Sequence, residues 1–154
     1  MARWWADDPA LEAIEADYGP GIDGHEPCEV FIAHRDGVPL GLAQRLWLHD
    51  YPRYVADIGA WTPVPAGACS IDYLLGNPGA LQRGLGTELV GAFTSLLWRD
   101  RAQAAALLVP VHAGNRASWR VLERNGYTLA ARAELDPDNP ADSRDHVIYR
   151  IDRP

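Results

Sequence analysis

Gln82-Arg-Gly-Leu-Gly-Thr-Glu-Leu-Val-Gly-Ala-Phe-Thr-Ser-Leu-Leu-Trp-Arg99 runs a glycine-rich turn straight into an apolar helix. Gly84 and Gly86 lack a Cβ, so the turn can take positive φ and a ligand can approach bare backbone N–H groups. Leu85, Leu89, Phe93, Leu96 and Leu97 return at helical spacing and leave Glu88, Ser95 and Arg99 on other faces. The start of such a helix carries free N–H groups and partial positive charge, which suits a phosphate. A P-loop is excluded, because Gly-Lys-Ser/Thr is missing and the chain contains no lysine. The dinucleotide fingerprint fails too, since it needs glycine where Leu89 stands. Taken alone, the turn reads equally as a tight loop before a core helix.

Working outward, the 154 residues suffice for one domain with a substantial core. No apolar run approaches the roughly 20 residues that cross a bilayer, and Met1-Ala-Arg-Trp-Trp5 lacks a signal-peptide core, so the expectation is a cytoplasmic protein with no membrane partner. All 14 basic residues are arginine against 21 acidic ones, a net charge of −7. That balance argues against nucleic acid and suits a cationic small molecule. Cys28 and Cys69 form neither a CxxC motif nor a disulfide framework, and the histidines show no metal-ligand spacing.

Asp8-Pro9 has the form of an N-cap with proline at the first helical position, predicting a short helix through Leu11, Ile14 and Tyr18 that Gly19-Pro20 ends. Glu29–Arg35 and Val38–Leu48 flank Asp36-Gly37, a hairpin whose turn positions tolerate positive φ. His49 to Gly67 holds Pro52, Pro63 and Pro65, too many for a central strand or a helix, and is expected to be a loop. Its aromatics and Asp57 could wall a ligand, or Tyr54 and Trp61 could simply cover the core's edge.

Cys69 to Gly76 reads as a strand with one carboxylate, Asp72, among apolar neighbours, where an aspartate is costly unless bonded or working. With a buried strand at Ala104 to Val109, the order strand, helix, strand predicts a parallel crossover. Asn115 is an expected N-cap for Arg116–Asn125, with Gly126 beyond its end and Trp119 and Leu122 facing inward. Strands at Thr128–Leu135 and His146–Ile151 enclose a carboxylate-rich loop.

In combination, Cys69–Leu75, Gln82–Thr87, Ala104 and Asn115-Arg-Ala-Ser-Trp-Arg-Val-Leu-Glu-Arg-Asn-Gly-Tyr127 resemble the GCN5-related N-acetyltransferase (GNAT) family. Ser70-Ile-Asp-Tyr-Leu-Leu-Gly-Asn77, Leu81-Gln-Arg-Gly-Leu-Gly-Thr-Glu-Leu-Val90, Arg3-Trp-Trp5 and Phe31–Gln44 are similar to its aminoglycoside 6′-N-acetyltransferases of the Ib type. The resemblance implies an α/β GNAT fold over residues 1–154: a mixed central β-sheet flanked by helices, lacking the usual first strand and helix. An edge exposed in that way would be covered by a second copy, giving a homodimer.

The resemblance also implies acetyl-CoA as co-substrate and direct acetyl transfer to an amine in a ternary complex, with no metal. Gln82, Arg83, Gly84, Leu85, Gly86 and Thr87 would hold the pyrophosphate, Asn115 the pantetheine arm, and Tyr73, Leu74 and Leu75 would lie beside the thioester. Asp72 would be the base, or would anchor the ammonium while water carries the proton. Asp57, Trp61, Asp72, Asp136, Asp138 and Asp142 are the substrate candidates. Two departures stand out: Leu122 replaces a tyrosine that protonates the leaving thiolate in many relatives, and Pro110 replaces a substrate-binding aspartate of the aminoglycoside group. Acylation of a siderophore lysine or peptide terminus, and a non-catalytic CoA-binding module, are the alternative functions.

Overall fold

The computed structural model describes residues 10–76, 84–137 and 140–154. In chain order it has α1 (Leu11–Ile22), β1 (Glu29–Arg35), β2 (Val38–Trp47), a 3₁₀ turn (Leu48–Asp50), α2 (Pro52–Gly59), β3 (Ala68–Leu75), α3 (Leu85–Asp100), β4 (Ala106–His112), α4 (Arg116–Arg124), β5 (Thr128–Glu134) and β6 (Asp145–Asp152). The strands form one six-stranded mixed sheet in the order β1-β2-β3-β4-β6-β5. Among the described strands, β3 and β4 are the one parallel pair, with α3 between them in the chain, which is the crossover expected from sequence.

Two local expectations were wrong. Helix α1 does not stop at Gly19-Pro20 but continues to Ile22 with Pro20 inside it. Proline removes one N–H, yet the turn closes around it: Asp23 N donates to Gly19 O at 2.8 Å and His25 N to Pro20 O at 2.8 Å. The proposed cap at Asp8-Pro9 lies outside the described residues. The segment after His49 is not a plain loop either, because Pro52 takes the first position of α2, where its missing N–H would have had no partner anyway. The β1–β2 hairpin turns through Asp36 (φ 52°) and Gly37 (φ 79°) as anticipated.

Alternation along the strands divides the core into two layers. Cys69, Ile71, Leu107, Val109, Val147 and Tyr149 face α3 and α4, where they pack with Phe93, Leu97 and Leu122. Ala68, Ala106, Leu108 and Ile148 face the other way, toward Ile58 of α2. The same alternation carries Asp72, Pro110, His112 and His146 onto this second face, at the end beyond its apolar cluster.

The parallel ladder is short. It pairs Ala68 with Ala106 and Cys69 with Leu107, and then β3 and β4 part. Strand β4 extends past the expected end at Val109 through Pro110 to His112. A proline is tolerated there for a geometric reason: Ala113 N donates to Asp145 O at 2.8 Å, so by alternation the nitrogen of Pro110 points toward β3, where the ladder has already opened. From Ser70 onward the β4-facing side of β3 therefore borders a gap, while its other side stays paired with β2 up to Leu75.

Candidate active site

Three elements meet at that gap. Helix α3 begins at Gly84, whose φ of 80° is left-handed and lets the chain turn sharply into the helix. Gly86 sits in the first turn, where a Cβ would make ordinary contact with Val121 Cγ2 of α4 at 3.4 Å. The Thr87 hydroxyl is buried with no hydrogen-bond partner among the described residues, an arrangement that leaves a donor at the helix start for an anionic group. Gln82 and Arg83 lie outside the described residues.

On the opposite bank, Asn115 caps α4 by accepting from Ser118 N at 3.2 Å. Tyr73 reaches across from β3, its hydroxyl 2.8 Å from Ser118 Oγ and 3.2 Å from the Ser118 carbonyl. Burial pushes the Tyr73 phenol well above its ordinary range, so it stays protonated at neutral pH and acts as a hydrogen-bond donor. Leu122 is fully buried at 0% exposure and packs in the core, so no polar group enters the cleft from that position. Leu74 and Leu75 are half-buried at the open end of β3, and Leu75 Cδ1 lies beside Gly86.

Two adjoining cavities occupy the region. A narrow cleft of about 80 Å³ follows the gap, walled by Ile71, Tyr73, Val109, Asn115, Ser118 and Asp142 among others. A wide one of about 670 Å³ opens over the second sheet face, bounded by α1, α2 and the β5–β6 connection. Asp72, Pro110 and His146 line both, so they mark the place where the two spaces join. In the wide cavity Asp17, Asp57, Asp72 and Asp136 stand against Arg53, whose guanidinium lies 3.8 Å from Asp136. The basin is acidic on balance and of a size typical for small-molecule sites.

Asp57, Asp72, Asp136 and Asp142, all singled out from sequence, thus line the connected cavities. Trp61 does not: it lies beyond α2, 45% exposed, and borders neither space. Asp138 is outside the described residues. Sequence reasoning missed Asp17, Gln44, Arg53, Ser118, His112 and His146. Register would have found one of them, because Gln44 pairs directly with Asp72.

Neither cysteine is fit to carry an acyl group. Burial, assisted by the Asp72 charge, pushes the Cys28 thiol up to about 11, and burial also raises the Cys69 thiol. Both remain protonated at neutral pH, so little thiolate is present to attack a thioester. Among the described residues, no group of three or more His, Cys, Asp or Glu side chains could hold a metal ion. No described helix is long and apolar enough to cross a membrane.

A mixed sheet that opens between its parallel strands, with a donor-rich helix start on one side and an acidic basin on the other, is the frame of a group-transfer enzyme. The chain belongs to the GNAT acetyltransferase domain family, whose model matches residues 1–135. It is 29% identical over 145 residues to an aminoglycoside N(6′)-acetyltransferase type 1 of Klebsiella pneumoniae, covering 92% of this chain and 69% of that protein. A protein of the same name from Serratia marcescens matches equally. Among solved structures, the aminoglycoside acetyltransferase AAC(6′)-Ib in complex with coenzyme A superimposes with a TM-score of 0.80 at 25% identity, over 99% of this chain and 82% of that one. Its complex with coenzyme A and kanamycin gives 0.79, again at 25% identity, over 99% and 81%.

Proposed function

We propose that the protein is an acetyl-CoA-dependent aminoglycoside 6′-N-acetyltransferase, acting on a primary amine of an aminoglycoside by direct transfer in a ternary complex. The observation that carries this reading is the position of Asp72 at the junction of the narrow cleft and the acidic basin. Relatives that fit the chain over most of its length are described with coenzyme A and with kanamycin or ribostamycin, which supports both halves of the assignment.

Bound acetyl-CoA supplies the acetyl thioester. The first-turn N–H groups of α3, from Leu85 to Thr87, with the Thr87 hydroxyl, bind its phosphates; Asn115 and the open edge of β3 bind the amide-bearing arm. Gly76 N donates to Leu40 O on β2, so by alternation Leu74 N–H also points to β2 and the N–H of Leu75 is the donor available to the carbonyl oxygen as it gains charge. On the other side, Asp17, Asp57 and Asp136 hold the ammonium groups of a polycation while Asp72 holds the reacting nitrogen. Each contact is weak alone under solvent screening, so affinity rests on the group and falls with added salt. The protein would work in the cytoplasm. A second copy across the outer edge of β1, where Ile32 is exposed near Val38 at the start of β2, is a further part of the proposal that light scattering checks.

Thiol release from acetyl-CoA, measured against a panel of aminoglycosides, lysine analogues and peptide termini, tests the function. Release with kanamycin or ribostamycin above all other amines is expected. Coenzyme A binding without release from any amine would leave a binding module instead.

A further inference from the structure

Resting on the acetyl-transfer reading, we infer that His146, rather than Asp72, takes the proton from the substrate ammonium, at its Nε2 atom. His146 lines both cavities together with Asp72, so an amine held by that carboxylate would sit in a space that His146 also borders. The neighbouring backbone decides which ring nitrogen is available. His146 Nδ1 lies 2.9 Å from the carbonyl oxygen of Arg144. A carbonyl only accepts, so Nδ1 carries the hydrogen and the neutral ring keeps its lone pair on Nε2.

The second imidazole in the cluster is arranged the other way. His112, at 5.5 Å between ring centroids and edge-on to His146, accepts at Nδ1 from Gly114 N–H at 3.1 Å. Its hydrogen is therefore on Nε2, 3.4 Å from Ser143 Oγ, which in turn donates to Asp145 at 3.0 Å. His112 has no basic nitrogen to offer, and His146 has one.

Residue chemistry points the same way. A proton acceptor works best when its pKa lies near the working pH, and histidine side chains titrate near about 6.5 where aspartates titrate near about 3.9. Asp72 then keeps its charge and fixes the ammonium instead of losing that charge at each turnover. In the step itself, one N–H bond of the ammonium breaks with its electron pair left on nitrogen, and an N–H bond forms at Nε2. The imidazolium returns its proton to solvent through the wide cavity. The charged groups around it are Asp72 on β3, Asp17 on α1, Asp57 on α2, and Asp136 and Asp142 in the β5–β6 connection. The basic groups are Arg53 and Arg144, both beside Asp136, and His112.

The test is H146N, because asparagine keeps a donor near the Nδ1 position for the Arg144 carbonyl and removes the base. With the best amine, kcat is expected to fall about a hundredfold, with KM for acetyl-CoA and thermal stability unchanged. The acidic limb of the kcat/KM profile should disappear in H146N and persist in D72N. ¹⁵N NMR of the native protein adds a readout independent of turnover: His146 should show the Nδ1–H tautomer. H146N at the native rate with its acidic limb intact, or an Nε2–H tautomer for His146, overturns the assignment while leaving acetyl transfer standing. A native chain that releases thiol with no amine overturns the function and the inference together.

Discussion

The two faces of the sheet use the same strands for opposite purposes. Toward α3 and α4, side chains from β3, β4 and β6 make a closed apolar layer, with Cys69, Ile71, Leu107, Val90 and Leu122 each at 0% exposure. Toward α1 and α2, the apolar layer extends only part of the way along the strands and gives way to Asp72, Pro110, His112 and His146. The closed face holds the strand directions firm; the open face can then present polar groups without losing its geometry. Chemistry here depends on one half of the sheet being fully packed so that the other half need not be.

That contrast can be broken in graded ways. The largest effect should come from D72N on the open face: a loss of about a hundredfold or more in kcat, with coenzyme A affinity and melting temperature near native. Loss of stability instead would mean that Asp72 belongs to the packing. L107A on the closed face should do the reverse, costing about 3 kcal/mol in denaturant unfolding because a cavity forms among side chains that cannot collapse. Gly84→Val should weaken coenzyme A binding about tenfold by calorimetry, since a β-branched residue at a φ of 80° displaces the first turn of α3.

The smallest effect concerns a charged rim of the closed face. Arg45, with its side chain 7% exposed, donates to Glu29 at 2.8 Å and Asp100 at 3.0 Å, and Arg101 also pairs with Glu29. The Arg45 hydrogen bond leads in holding the Glu29 carboxyl below its ordinary 4.5. A depressed carboxyl stabilises the fold above its unfolded value, and that contribution is lost as pH falls through the folded one. Melting temperature should therefore drop as pH falls below about 4.5, and E29Q should flatten that drop by an amount worth roughly 1 kcal/mol or less, given solvent screening.

Much of the frame could be read from residues because the signals were local. Asp36-Gly37 forces its turn, Asn115 and Gly126 bracket α4, and the 3.6-residue spacing after Leu85 needs no tertiary context. What escaped were features whose reasons are non-local. Pro52 reads as a breaker until it is seen at a first helical position, and Pro20 until the turn beyond it is seen closing. Asp72 could be singled out as a lone carboxylate in an apolar strand. His146 could not, because its role depends on a carbonyl two residues away and on a cavity built by elements distant in sequence. Trp61, promoted for its aromatic bulk, proved to stand outside the basin.

Pro110 also acts through what it prevents. Two neighbouring strands that diverge would ordinarily gain hydrogen bonds by coming back together, and a ligand-free enzyme could collapse its own binding slot. With no amide hydrogen directed at β3, β4 cannot complete that zipper at the point nearest Asp72. The gap is thus held open at Pro110; on the reading proposed above, a thioester entering it would have no β3–β4 ladder bond to break there, so its rate of entry should be set by diffusion and charge rather than by any opening of the fold.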